Sequence, residues 1–104
     1  MSDTPPLKIV SGTALTEQQK KDLLHRLARV EGQLRGVQKL IAKATEPGDC
    51  DGIAQQMSAA RKALDRSFVT LLTSSMVTHA EKATSVEEAV ASAKHLSSFL
   101  DKYV

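Results

Sequence analysis

The chain has 104 residues, a formal net charge of +2, one cysteine, no tryptophan, and only Phe68, Phe99 and Tyr103 as aromatics. That length suits one domain with a modest core, the lone cysteine excludes an intramolecular disulfide, and no apolar run approaches the roughly 20 residues of a membrane span. Nothing resembles a signal peptide, so a cytoplasmic protein without a membrane partner is expected.

The apolar residues are mostly Leu, Ala, Val, Ile and Met, which favour helices. Residues 1–15 carry two prolines and a glycine and no sustained periodicity, so they read as a mobile N-terminal arm. Residues 16–104 then read as one all-helical domain. Thr16 opens the first helix as an N-cap, with Gln19 three residues on, where a capping-box partner reaches back to the Thr16 amide. From there Leu23, Leu27, Val30, Leu34, Val37 and Ile41 alternate in steps of four and three. This is a heptad seam, and it predicts a helix over residues 16–45. Pro47 and Gly48 then punctuate the chain.

A second helix is predicted from Asp49–Asp51, where acids favour the positive end of the helix dipole, to about Glu81. Its apolar positions are Ile53, Met57, Ala60, Leu64, Phe68, Leu71 and Leu72. A third begins at Ser85, with Glu88 in the capping-box position, and is expected to bury Val90, Ala93, Leu96, Phe99 and Leu100. Two long helices with one apolar stripe each cannot close a core within one chain. The expected architecture is therefore all-α: two long antiparallel helices and a short third, pairing with a second chain as a four-helix bundle through a large obligate interface.

Charge is unevenly spread. Between Thr16 and Thr45, Lys20, Lys21, Arg26, Arg29, Arg35, Lys39 and Lys43 face only Glu17, Asp22 and Glu31, a net +4; residues 84–104 carry −1. The basic front half suits a polyanionic partner. Arg26 and Arg29 share a helix face at i and i+3, as do Lys62 and Arg66 at i and i+4. Read alone, such charges also suit the solvated side of an amphipathic helix.

The segment RLARVEGQLRGVQKLI (26–41), the cysteine at 50, and IAQQMSAARKALDR (53–66) resemble the CsoR/RcnR/FrmR family of bacterial repressors, from about Glu17 to the closing LDKYV. The resemblance implies a three-helix protomer assembled as a homotetramer, a dimer of dimers. It implies binding to double-stranded operator DNA in the inducer-free state and release when an inducer binds. The cations that match the family's positive face are Arg26, Arg29, Arg35, Arg61, Lys62 and Arg66. Phosphates neutralised by them would give the affinity a salt dependence of about −0.9 per contact.

In that family the cysteine at the start of the second helix senses the inducer with residues of a neighbouring chain's second helix. The matching positions here are Ser75 and His79, four apart and so on one face. A thiolate and an imidazole suit Cu, Ni, Co or Zn, which makes a transition metal the leading inducer. Two donors do not complete a site; His95 and His25 are further candidates. The nickel- and cobalt-sensing members carry a histidine in the arm, and this chain has none there. Formaldehyde-sensing members have proline at position 2, where this chain has Ser2, and persulfide-sensing members need a second cysteine. Modification of Cys50 by an electrophile or sulfane sulfur is the second reading.

Plainer readings stand beside these: Cys50 as a half-buried filler at a helix start, His79 as a dipole-complementing residue near a helix end, and Ser75 as a residue bonded to its preceding turn. A helical assembly module without DNA is a reading of another class. An enzyme has little to build on, since the chain shows no Cys-His-Asp set and no phosphate loop.

Overall fold

The structure is a computed structural model that describes residues 15–104; the predicted arm, up to residue 14, lies outside the described residues. The described residues form three helices, α1 (Glu17–Lys43), α2 (Asp49–Lys82) and α3 (Val86–Tyr103), and no strand. The all-α class and the three predicted elements are those observed, with boundaries within about two residues. Among the described residues no helix is long and apolar enough to cross a membrane.

The helix starts follow local chemistry. The Gln19 amide donates to Thr16 Oγ1 at 3.1 Å while the Thr16 amide donates to Gln19 Oε1 at 2.8 Å, a reciprocal capping box. Ser85 caps α3 by accepting from the Glu88 amide at 3.1 Å. Here the predicted box is modified, because the Glu88 carboxylate reaches one residue further back, to the Thr84 amide at 2.6 Å and to the Thr84 hydroxyl. Those bonds, the hydroxyl's above all, hold Glu88 below the usual carboxylate range.

The chain divides into two compact units. In Lys20–Thr70, parts of α1 and α2 joined by residues 44–48 form a helical hairpin. Its buried side chains are Leu23, Val30 and Val37 on α1 and Ala60 and Ser67 on α2. Those on α1 recur every seven residues, and the two on α2 do as well. The small Ala60 and Ser67 permit close helix approach, and the Ser67 hydroxyl is satisfied by donating to the Ala63 carbonyl at 3.0 Å. Only half of the predicted α1 seam is covered in this way. Leu27, Leu34 and Ile41 remain 41%, 48% and 54% exposed.

The other unit holds the segment ending at Gln19 together with Leu71–Val104. Leu72, Thr78 and His79 are buried in it. Gln19, already spent on the α1 cap, also accepts from the Thr78 hydroxyl at 2.9 Å and donates to the Ser74 carbonyl at 3.4 Å, so one amide ties the start of α1 to the last turns of α2. The expectation that α3 buries Val90, Ala93, Leu96, Phe99 and Leu100 is not met within one protomer, where no α3 residue is buried. Its ring side chains meet each other: His95 meets Phe99 edge-on at 5.1 Å, and Phe99 lies 5.5 Å from Tyr103.

Candidate functional site

Cys50 sits in the first turn of α2 and is exposed. Successive turns position it: the amides of Asp49, Cys50 and Asp51 donate to the carbonyls of Glu46, Pro47 and Gly48 at 3.0 to 3.2 Å. The connection is clamped by Asp49, whose Oδ2 accepts from the amides of Thr45 at 3.0 Å and Glu46 at 3.1 Å. The bond from the Thr45 amide, followed by that from Glu46, lowers the Asp49 pKa. Sequence reading placed Asp49 on the helix dipole; the structure adds that it holds the loop leading to the thiol. The signal for this is an Asp three and four residues after backbone donors that no helix satisfies.

This clamp has a pH signature. A carboxylate with a folded-state value below its ordinary 3.8 contributes stability that is complete above that pH and is lost as pH falls through the folded value. Asp49→Asn is therefore expected to lower the melting temperature at neutral pH and to flatten the acid limb of a melting temperature against pH curve below about pH 4, so that the two curves converge in acid. An acid limb identical to that of the parent protein would show that the clamp does not persist in solution.

His79 lies in the last turn of α2 and is 8% exposed. Its Nδ1 is 2.7 Å from the Ser75 carbonyl and 3.2 Å from Ser75 Oγ. A carbonyl accepts only, so the close contact fixes the proton on Nδ1 and leaves the Nε2 lone pair as the ring's available donor atom. Histidines that ligate metals are commonly oriented in this way by a backbone carbonyl. Ser75 thus stands behind His79 as its anchor rather than beside it, a relation that sequence spacing pointed to only as a shared face.

His95, on α3, is half-buried with its Nδ1 buried and without a hydrogen-bond partner among the described residues. His25 is exposed on α1. Cys50 lies in the first turn of α2 and His79 in its last. Among the described residues no group of three or more His, Cys, Asp or Glu is arranged to hold a metal ion. The individual donors nonetheless fit a thiophilic or borderline transition metal: an accessible thiol and an imidazole oriented through its other nitrogen.

The six basic candidates do not behave alike. Arg26 and Arg29 from α1 and Arg66 from α2 line one depression of about 120 Å³ together with Gln33 and Ala63, and no acidic side chain lines it. Arg26 and Arg66 also border an adjoining shallow hollow with Asp65, Val69 and Thr70. Arg35, Arg61 and Lys62 are exposed and line neither. Periodicity alone paired Arg26 with Arg29 and Lys62 with Arg66; the hairpin register brings Arg66 to the first pair instead. Gln33, which charge and periodicity did not single out, joins them.

A family model described as metal-sensitive transcriptional repressor matches residues 19–102. No curated protein and no solved structure matches the chain.

Proposed function

Because the chain belongs to the metal-sensitive transcriptional repressors, the CsoR/RcnR family, non-enzymatic regulators, we propose that it binds operator DNA as a homotetramer, acts in the cytoplasm, and is released by a transition metal acting between Cys50 of one protomer and His79 of a neighbour. The observation that carries the sensing part is the 2.7 Å contact between His79 Nδ1 and the Ser75 carbonyl. The Nδ1 proton is committed to that carbonyl, which leaves Nε2 as the one lone pair a ligand can use. Burial of the ring limits its rotamers, so the donor is oriented before any ligand arrives.

The need for a second chain is supported by the uncovered half of the α1 seam. Leu27, Leu34 and Ile41 repeat every seven residues and stay about half exposed, a pattern suited to a facing helix. With Cys50 and His79 at opposite ends of one helix, an antiparallel partner is the arrangement that brings the thiol of one protomer to the imidazole of the other. A metal ion held there would supply coordinate bonds between the two helices. Cys50 would contribute its sulfur and His79 its Nε2, with Ser75 holding the ring; His95, whose Nδ1 has no hydrogen-bond partner among the described residues, would be the further donor on α3. DNA contact falls to Arg26, Arg29 and Arg66, with Arg35, Arg61 and Lys62 as outlying cations.

A specific observation favours one other inducer chemistry: Cys50 is exposed and needs no other donor to react with an electrophile or sulfane sulfur. Metal content and intact mass of anaerobically purified protein separate the two. The metal reading expects a stoichiometric metal that Cys50→Ala lacks. An adduct on sulfur without metal would replace it by the thiol reading, and neither metal nor adduct in a protein that fails to bind DNA would leave a helical assembly module.

A further inference from the structure

Gln19 carries more hydrogen bonds than a helix cap needs. Its Oε1 accepts from two donors at once, the Thr16 amide at 2.8 Å and the Thr78 hydroxyl at 2.9 Å, while its Nε2 donates to the Ser74 carbonyl at 3.4 Å. These partners fix which end of the carboxamide is which, because a backbone amide only donates and a carbonyl only accepts. Gln19 therefore cannot turn over without giving up both the cap of α1 and its hold on α2.

The place it holds on α2 is specific. Ser74 and Thr78 stand four apart on one turn, and each immediately precedes one member of the Ser75–His79 pair. Two successive carbonyls of that turn thus each take a side-chain donor: Ser74 from Gln19 Nε2, and Ser75 from His79 Nδ1 at 2.7 Å. Thr78 and His79 are both buried, at 3% and 8% exposure, and neighbours in a packed turn do not readjust one at a time. A cation on Nε2 of an imidazole withdraws electron density from the ring and makes Nδ1–H the stronger donor, so ligation of His79 increases the pull on the Ser75 carbonyl. The adjoining contacts of Ser74 and Thr78 feel that pull first.

We propose that Gln19 is a positioning residue of the sensing site, and that its Oε1, shared between Thr78 and Thr16, passes occupancy of His79 to the first turn of α1. The inference rests on the reading of His79 as an inducer ligand. A coupling needs two arrangements between which the ligand discriminates. Here one has the shared oxygen bonded to both donors, and the other has Gln19 released from Thr78 and free to loosen the cap. From that cap α1 runs on to Arg26 and Arg29, so the way its first turn is held acts on the helix to which DNA contact is assigned.

The test uses the full chain and Zn(II), whose closed shell suits magnetic resonance. In the metal-free protein Thr78→Val, which removes the hydroxyl donor to the shared oxygen, is expected to speed exchange of the Thr16 amide about two- to tenfold, as loss of one hydrogen bond would. Zinc is expected to speed it similarly in the parent and to add nothing in the variant, while the His79 Nε2 resonance shifts in both. In operator binding at constant salt, metal-free Thr78→Val is expected to match the zinc-loaded parent, with no further release on adding zinc and a zinc affinity no weaker than the parent's. A merely structural role would lower DNA affinity alike with and without zinc and leave their ratio untouched. Gln19→Ala, which removes both links to α2 at a half-buried position, is expected to lose the ratio in the same way, and it decides the matter where circular dichroism shows Thr78→Val to be unfolded. An unmoved Thr16 amide in the zinc-loaded parent, or a full zinc effect retained by either folded variant, overturns the proposal. A zinc-responsive Thr16 amide in a protein that zinc does not release from DNA sustains the coupling and removes the release reading. If zinc leaves the His79 Nε2 resonance unmoved, the ligand assignment fails and the coupling with it.

Discussion

Cys50→Ala is expected to give a repressor that still binds operator DNA but no longer lets go of it. The side chain is exposed at the first turn of α2, and its removal leaves no cavity, so stability and inducer-free DNA affinity change within the range of an ordinary surface substitution, about 0.5 kcal/mol either way. What disappears is the difference in DNA affinity between inducer-free and inducer-loaded protein. A coupling of about 1–3 kcal/mol, or 5- to 150-fold, is typical of such regulation, and the variant is expected to retain none of it. Fluorescence anisotropy with labelled operator DNA, with and without Cu(I), Ni(II), Co(II) or Zn(II), measures both quantities. Retention of a large metal-dependent release by Cys50→Ala would remove Cys50 from the switch.

The physical reason is that an effector shifts an equilibrium only by its differential affinity for the two states. A ligand that touches one helix end of one protomer has nothing to prefer. A ligand bridging Cys50 and His79 prefers whichever arrangement brings α2 of one chain to α2 of the next. His79 is already oriented by the Ser75 carbonyl at 2.7 Å, so on this reading the adjustable partner is the exposed thiol at the end of the 44–48 connection. Asp49, which clamps that connection through Thr45 and Glu46, then sets how freely the sulfur moves.

How far the sequence disclosed this depends on the range of the interaction. The capping box at Thr16 and Gln19 and the N-cap at Ser85 were legible because both partners lie within one turn and their chemistry is local. The heptad seam was legible as a period, and Leu23, Val30 and Val37 are indeed buried. What the period did not disclose is that Leu27, Leu34 and Ile41 stay open in one chain, since coverage depends on which element faces each row. Burial of α3 failed for the same reason: an amphipathic pattern states which side is apolar, not what covers it.

The candidate site shows the same division. Cys50, Ser75 and His79 were picked out by resemblance and spacing, yet the use of the Ser75 carbonyl, rather than its hydroxyl, to fix the imidazole needs coordinates. Gln19 was identified as a cap; its bonds to Ser74 and Thr78 are set by helix register and are invisible in a one-dimensional pattern. Arg66 was grouped with Lys62 by period, whereas the hairpin seats it with Arg26 and Arg29.

That regrouping sets the second large effect. Arg29→Ala and Arg66→Ala are each expected to weaken operator binding by tenfold or more near physiological salt, from the loss of charge-assisted contacts of about 1.5–3 kcal/mol. The plot of log affinity against log salt should become shallower by about 0.9 for every phosphate contact removed, and the loss should be similar across DNA sequences, because phosphates carry no base information. Lys94→Ala on α3 is the comparison, since it removes the same charge from a helix that bears none of the clustered arginines. If long-range field alone governed binding, Lys94→Ala and Arg66→Ala would lose affinity alike; direct phosphate contact requires a much larger loss at Arg66. Arg66→Lys sharpens the point, since it retains the charge but not the planar fork. It should keep most of the salt slope while losing affinity, whereas full affinity with lysine would show that position 66 supplies charge without geometry.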